Sequence, residues 1–154
     1  IDESSVDPTI KNYHWGDFTR GLYEAKEQNY DTALLVDHKN CLTEGPGFNI
    51  FVVKDGKLMT PNKGVLQGIT RQTVLEIAES LQISTEVREI TKPEVLDADE
   101  IFLSTSAGGV MPLVRVNSTI YSNGKPGNIS EKIRKKYWDW TELPCYRTLI
   151  DYSD

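Results

Sequence analysis

Gly64-Val65-Leu66-Gln67-Gly68-Ile69-Thr70-Arg71 is the stretch on which the reading of this chain turns. It follows an expected strand, Lys57-Leu58-Met59-Thr60, and a turn, Pro61-Asn62-Lys63, and it opens a helical pattern running to about Leu81. Two glycines free the backbone just before a helix start, where unpaired N–H groups and the positive end of the helix dipole favour an anion. The stretch reads as a phosphate cup. An ordinary loop-to-helix junction carries the same letters, so the cup needs support from the rest of the chain.

On either side of the cup the pattern is mixed. Val74, Leu75, Ile77, Ala78 and Leu81 give the following helix its buried face. Before it, Asp55-Gly56 is a tight-hairpin signal joining strands at 48–53 and 57–60. Further upstream, Asp17 is placed to cap a helix from Phe18 to about Gln28, striped by Phe18, Leu22 and Ala25. Short strands are expected at 33–36 and 41–43, with 37–40 as a turn and Glu44-Gly45-Pro46-Gly47 as an interruption. Downstream, 85–90 alternates as a strand, and 92–96 reads as a short helix with Pro93 in its first turn. A strand at 100–104 follows. Strands at 113–116 and 119–121 form a hairpin around Asn117-Ser118, Ser130 caps a last helix to about Trp140, and 143–154 is a tail. Strands and helices mix without regular β-α-β alternation, which predicts an α+β fold with largely antiparallel pairing. Residues 1–5 read as a polar linker remnant and 6–154 as one domain.

Composition narrows the function classes. The 154 residues suffice for one core. A formal charge of −6 disfavours a nucleic-acid binder, which needs surplus Lys and Arg. Cys41 and Cys145 define neither a disulfide framework nor a zinc site, and point to a reducing compartment. His14 and His38 lack ligand spacing, so no metal is expected. No apolar run is long enough to cross a bilayer and no signal peptide opens the chain; the expected location is cytoplasmic, with no membrane partner.

Three further segments carry chemistry. Lys11 lies in Ile10-Lys11-Asn12-Tyr13. Most lysines are solvated charges, but a buried one loses its proton more easily and attacks carbonyls. Glu44 sits between an apolar strand and a glycine bend, either as a loop carboxylate bound to backbone N–H groups or as the acceptor for a protonated heterocycle. Ser104-Thr105-Ser106-Ala107-Gly108-Gly109 offers hydroxyls and freely oriented N–H groups, a second anion nest or a polar turn. An amine, a carboxylate and two anion cups permit the binding of pyridoxal phosphate.

At these residues the sequence resembles the fold-type IV pyridoxal-phosphate aminotransferases, the group holding branched-chain and D-amino-acid aminotransferases. Within it, the sequence looks most like the (R)-selective amine transaminases. Residues 9–17 resemble the family's lysine segment, 42–49 its glutamate segment, 64–71 its phosphate segment and 105–112 its second cup. Gly108-Gly109 and Trp15 carry the likeness to the amine transaminases; branched-chain enzymes usually have an acidic residue near Gly109.

The resemblance implies that Lys11 holds pyridoxal 5'-phosphate as a Schiff base and shuttles a proton between Cα and C4′. Glu44 would pair with the pyridine nitrogen, and Leu66 would pack on the ring. Ile69, Thr70 and Ser106 would hold the phosphate; relatives commonly have threonine where Ser106 stands. Trp15, Thr105, Ser106 and Ala107 would meet substrate, Trp15 being as readily a plain core aromatic. The implied reaction is transfer of an amino group from a primary (R)-amine to a keto acid such as pyruvate. A branched-chain or D-amino-acid aminotransferase, a lyase on the same fold, and a non-catalytic cofactor-binding or interaction module are the alternatives. The resemblance reaches only the family's C-terminal domain. It implies a missing N-terminal part that supplies an arginine to the phosphate and one pocket wall, and it implies a homodimer.

Overall fold

Asp55 and Gly56 take φ of +48° and +75°, the left-handed pair a two-residue hairpin requires. They join β1 (Asn49–Lys54) to β2 (Lys57–Thr60) in the antiparallel register Val52↔Met59. The other edge of β1 pairs antiparallel with β4 (Glu100–Thr105), and β4 with β5 (Gly109–Leu113). Beyond β2 lies β3 (Thr85–Val87), parallel to it, giving a five-stranded sheet in the order β3-β2-β1-β4-β5. The fold is α+β with mainly antiparallel pairing, as the mixed pattern predicts. The computed structural model describes residues 6–152; the linker expected at 1–5 and the end of the tail lie outside the described residues.

Both faces of the sheet are covered, which is why β1 and β4 read as unbroken apolar runs. Phe51, Val53 and Phe102 face α2 (Ile69–Ser80) and α4 (Asn128–Thr141), where they pack on Val74, Ile77, Ala78 and Ile133. Phe51 and Phe102 stack with centroids 4.9 Å apart. Ile50, Val52, Ile101 and Leu103 face the opposite layer, with Leu42, Ile90, Tyr121 and Val95 of α3 (Lys92–Leu96). Each fully buried aliphatic or aromatic side chain contributes about 1.5–3 kcal/mol. The α3 helix has the expected proline in its first turn and a capping box of Thr91 and Glu94.

Several local expectations are corrected. The strands expected at 33–36 and 41–43 reduce to isolated bridges, Val36↔Leu42 and Cys41↔Thr91. The Asp37 carboxylate accepts the N–H groups of Lys39 and Cys41 at 2.8 Å each, bending the chain out of a ladder. The strand expected over 85–90 stops at Val87, because Ile90 O turns away to accept Leu42 N–H at 2.7 Å. The first helix, α1 (Gly16–Glu27), starts at Gly16; Asp17 lies inside its first turn, favourable to the dipole but not its cap. Ser130 is not the cap of α4 either. Gly127 is, and the first-turn N–H groups of Ile129 and Ser130 donate to Glu100 Oε1 and Oε2 at 2.9 and 2.8 Å. The sequence pattern predicts no strand over 109–112 and begins one at Leu113, whereas β5 runs from Gly109 and ends there. The expected hairpin around Asn117-Ser118 is present as β6 (Arg115–Val116) and β7 (Thr119–Ile120).

Candidate active site

The first turn of α2 has no side-chain cap and no acidic residue. Its first internal bond runs from Gln72 N–H to Gly68 O at 3.0 Å, so the amides of Ile69, Thr70 and Arg71 precede the ladder. Such a terminus accommodates an anion. Gly68 is required here for space: a Cβ would run into Asn49 Oδ1. Ile69 is exposed and Thr70 is buried, with Thr70 Oγ1 3.5 Å from Ser106 Oγ. The two cups read from the sequence therefore meet at their hydroxyls. Behind them the buried Arg71 guanidinium braces the loop, donating to Gln67 Oε1 at 2.7 Å and Pro61 O at 3.0 Å.

Glu44 reaches the same place from the other side. The Gly45–Phe48 bend closes through mutual backbone bonds of 3.1 and 3.3 Å, and a Cβ on Gly45 would strike the Phe48 ring. This turns the Glu44 carboxylate inward. Its Oε2 accepts Leu66 N–H at 3.0 Å and Asn49 Nδ2 at 3.3 Å. Burial pushes the Glu44 carboxyl above its ordinary value; the Leu66 hydrogen bond and the Lys11 ammonium pull the other way.

Lys11 stands on the irregular segment leading into α1 and is exposed, so the described residues do not supply the desolvation that the sequence reading asks of it. Trp15 is 43% exposed, edge-on to Phe18 with centroids 5.5 Å apart, and so is not a plain core aromatic. Ala107 N–H is directed to Thr105 Oγ1 at 3.4 Å, a long bond. Lys11, Trp15, Glu44, Leu66, Ile69, Thr70, Thr105, Ser106 and Ala107 all line one open cleft of about 1310 Å³. His14 and His38 are exposed on its walls, and no metal-binding cluster occurs among the described residues.

Two residues of the cleft receive no role of their own from the sequence, although Ser104 opens the stretch read as the second nest and Asn49 closes the glutamate segment. Asn49 is buried at the start of β1, with Nδ2 donating to Leu66 O at 2.9 Å as well as to Glu44. Ser104 is 2% exposed, and its hydroxyl has no hydrogen-bond partner among the described residues. The available signal was a polar residue at the end of an otherwise apolar strand, which a count of apolar positions passes over.

The sequence pattern of the Amino-transferase class IV family matches residues 1–116. The chain belongs to that family. A branched-chain-amino-acid aminotransferase of Pseudomonas aeruginosa is 37% identical over 119 residues, 77% of this chain and 39% of that protein. The crystal structure of the branched-chain amino acid aminotransferase from Thermobaculum terrenum in its PLP holo-form aligns with a TM-score of 0.89 at 32% identity, covering 96% of this chain and 50% of that one. The Thermoproteus uzoniensis enzyme with norvaline aligns at 0.87 and 30% identity, covering 95% and 50%. The chain spans 38–47% of the length of five curated relatives that it matches in sequence. No helix among the described residues is long and apolar enough to cross a membrane.

The cleft has the chemistry such a cofactor asks for. It combines a helix terminus short of acceptors, an orphaned buried hydroxyl at Ser104 and a carboxylate held by two donors on one oxygen.

Proposed function

We propose that this chain is the cofactor-binding part of a pyridoxal-phosphate aminotransferase that exchanges the amino group of a branched-chain amino acid with a keto acid. The observation that carries the reading is Lys11 and Glu44 on one cleft, which the uncapped start of α2 also lines. The names of the relatives favour the branched-chain substrate.

In this reading pyridoxal phosphate supplies an aldehyde and an electron-withdrawing ring. Lys11 provides the amine that holds it and carries the proton between donor carbon and ring substituent. Glu44 keeps a proton on the ring nitrogen. Leu66 packs against the ring; Ile69, Thr70 and Ser106 bind the phosphate; Thr105, Ser106 and Ala107 meet the substrate carboxylate. The long Ala107–Thr105 bond is readily exchanged for one to a carboxylate.

Transfer from an (R)-amine to pyruvate is the second reading. Trp15, presented on the cleft wall, favours it. Gly109 does not count for it: at φ +65°, with a Cβ meeting Tyr137 at 2.7 Å, glycine is demanded by packing alone.

The reading assigns 6–154 to a C-terminal domain. Polypeptide outside this chain then completes the pocket and buries Lys11, in a homodimer located in the cytoplasm. Both cysteines being free thiols fits a reducing compartment.

The test is borohydride reduction of the holoprotein followed by peptide mapping. Cofactor mass on the Lys11 peptide is expected, and absorbance near 400 nm that survives in Lys11→Ala would refute the assignment. Turnover of L-leucine against (R)-1-phenylethylamine and D-alanine then separates the substrate readings.

A further inference from the structure

We infer that Ser104 is a further binding residue of the anion cup, its hydroxyl donating to the phosphate end of the group held there. The inference rests on the cup reading above and deepens it: Ser104 opens the stretch read as the second nest, but of its hydroxyls only that of Ser106 is assigned to the phosphate there. Ser104 is 2% exposed and its Oγ has no hydrogen-bond partner among the described residues, though it lines the cleft with Thr70 and Ser106.

Its direction follows from the sheet register. Phe102 lies opposite Phe51 and faces the α2 and α4 layer. Two residues on, Ser104 lies opposite Asn49 on the same face, at the end where α2 begins and where Asn49 approaches Gly68. The nearby hydroxyls of Thr70 and Ser106 engage each other at 3.5 Å. A buried hydroxyl without a partner is disfavoured, and alanine would close the strand end without that cost. The uncapped amides of α2 are all donors, so whatever satisfies them must bring acceptor oxygens. The Ser104 O–H on the same wall meets those oxygens too.

The experiment titrates the apoprotein and its Ser104→Ala and Ser104→Cys variants with pyridoxal phosphate and with pyridoxal, which lacks the phosphate. Ser104→Ala should weaken pyridoxal phosphate about tenfold and leave pyridoxal unchanged, with apoprotein melting unchanged or raised because an orphaned hydroxyl is gone. Ser104→Cys, a similar shape with a weaker donor, should fall between. Unaltered pyridoxal phosphate affinity in Ser104→Ala overturns the inference, as does an equal loss for both ligands, which would mark a defect of folding. A wild-type protein that includes the polypeptide completing the pocket and still binds neither ligand overturns the functional reading itself, and this inference with it.

Discussion

Asn49 and Glu44 are joined by a hydrogen bond from Nδ2 to Oε2 at 3.3 Å, and the second Nδ2 proton goes to Leu66 O at 2.9 Å. Leu66 N–H returns to the same carboxylate oxygen at 3.0 Å. The three residues form a closed ring of bonds that aims one side of the carboxylate and leaves Oε1 outside it.

Asn49→Ala should therefore destabilise the protein by about 1–3 kcal/mol, since it leaves a half-buried carbonyl and a half-buried carboxylate each short of a donor. Urea unfolding measures it. Asn49→Asp should be worse, setting a second carboxylate against Glu44. An unchanged midpoint for both would remove Asn49 from the supporting shell.

Glu44→Gln should keep the cofactor but lower turnover about a hundredfold or more, because a neutral amide does not hold a proton on the ring nitrogen. In the apoprotein the sign of the pH effect is fixed. The Glu44 carboxyl is raised by burial above 4.5. Its contribution to stability is fully present below that value and is lost as pH rises through the raised one. Melting of wild type relative to Glu44→Gln should thus fall as pH rises above 4.5. A difference independent of pH would contradict the burial argument.

Glu94 runs the opposite way. The Thr91 N–H, 2.8 Å from Oε2, and the Arg88 guanidinium, 2.8 Å from Oε1, help to hold its carboxyl down at about 2. That stability is present above 4.5 and lost as pH falls toward about 2. The side chain is 40% exposed, so Glu94→Gln should cost only about 0.5–1 kcal/mol at neutral pH. The cost should vanish near pH 2 in a thermal melt series; a cost that persists there would exclude the charge as its source.

Gly127→Ala should destabilise by about 2–3 kcal/mol, since the new methyl meets the Glu100 carboxylate that caps α4. Glu100→Gln, which keeps one acceptor, should cost less. Denaturant midpoints measure both, and an alanine as stable as glycine would mean the carboxylate has another place to go.

The sequence by itself determined what short-range chemistry dictates. Asp55-Gly56 demanded a hairpin, Pro93 a helix start, and the apolar spacing of 74–81 a buried helix face. The motif order marked Lys11, Glu44, Gly64–Arg71 and Ser106 as one set. Tertiary structure decided how these elements complete one another. Glu100 caps a helix thirty residues away, Asn49 reaches Leu66 seventeen residues on, and Thr70 meets Ser106 thirty-six residues on. Local propensity is blind to such partners because each bond exists only once the strands are in register. For the same reason Ser104 does not stand out from the other hydroxyls of its stretch until it is seen buried in the cleft wall without a partner among the described residues.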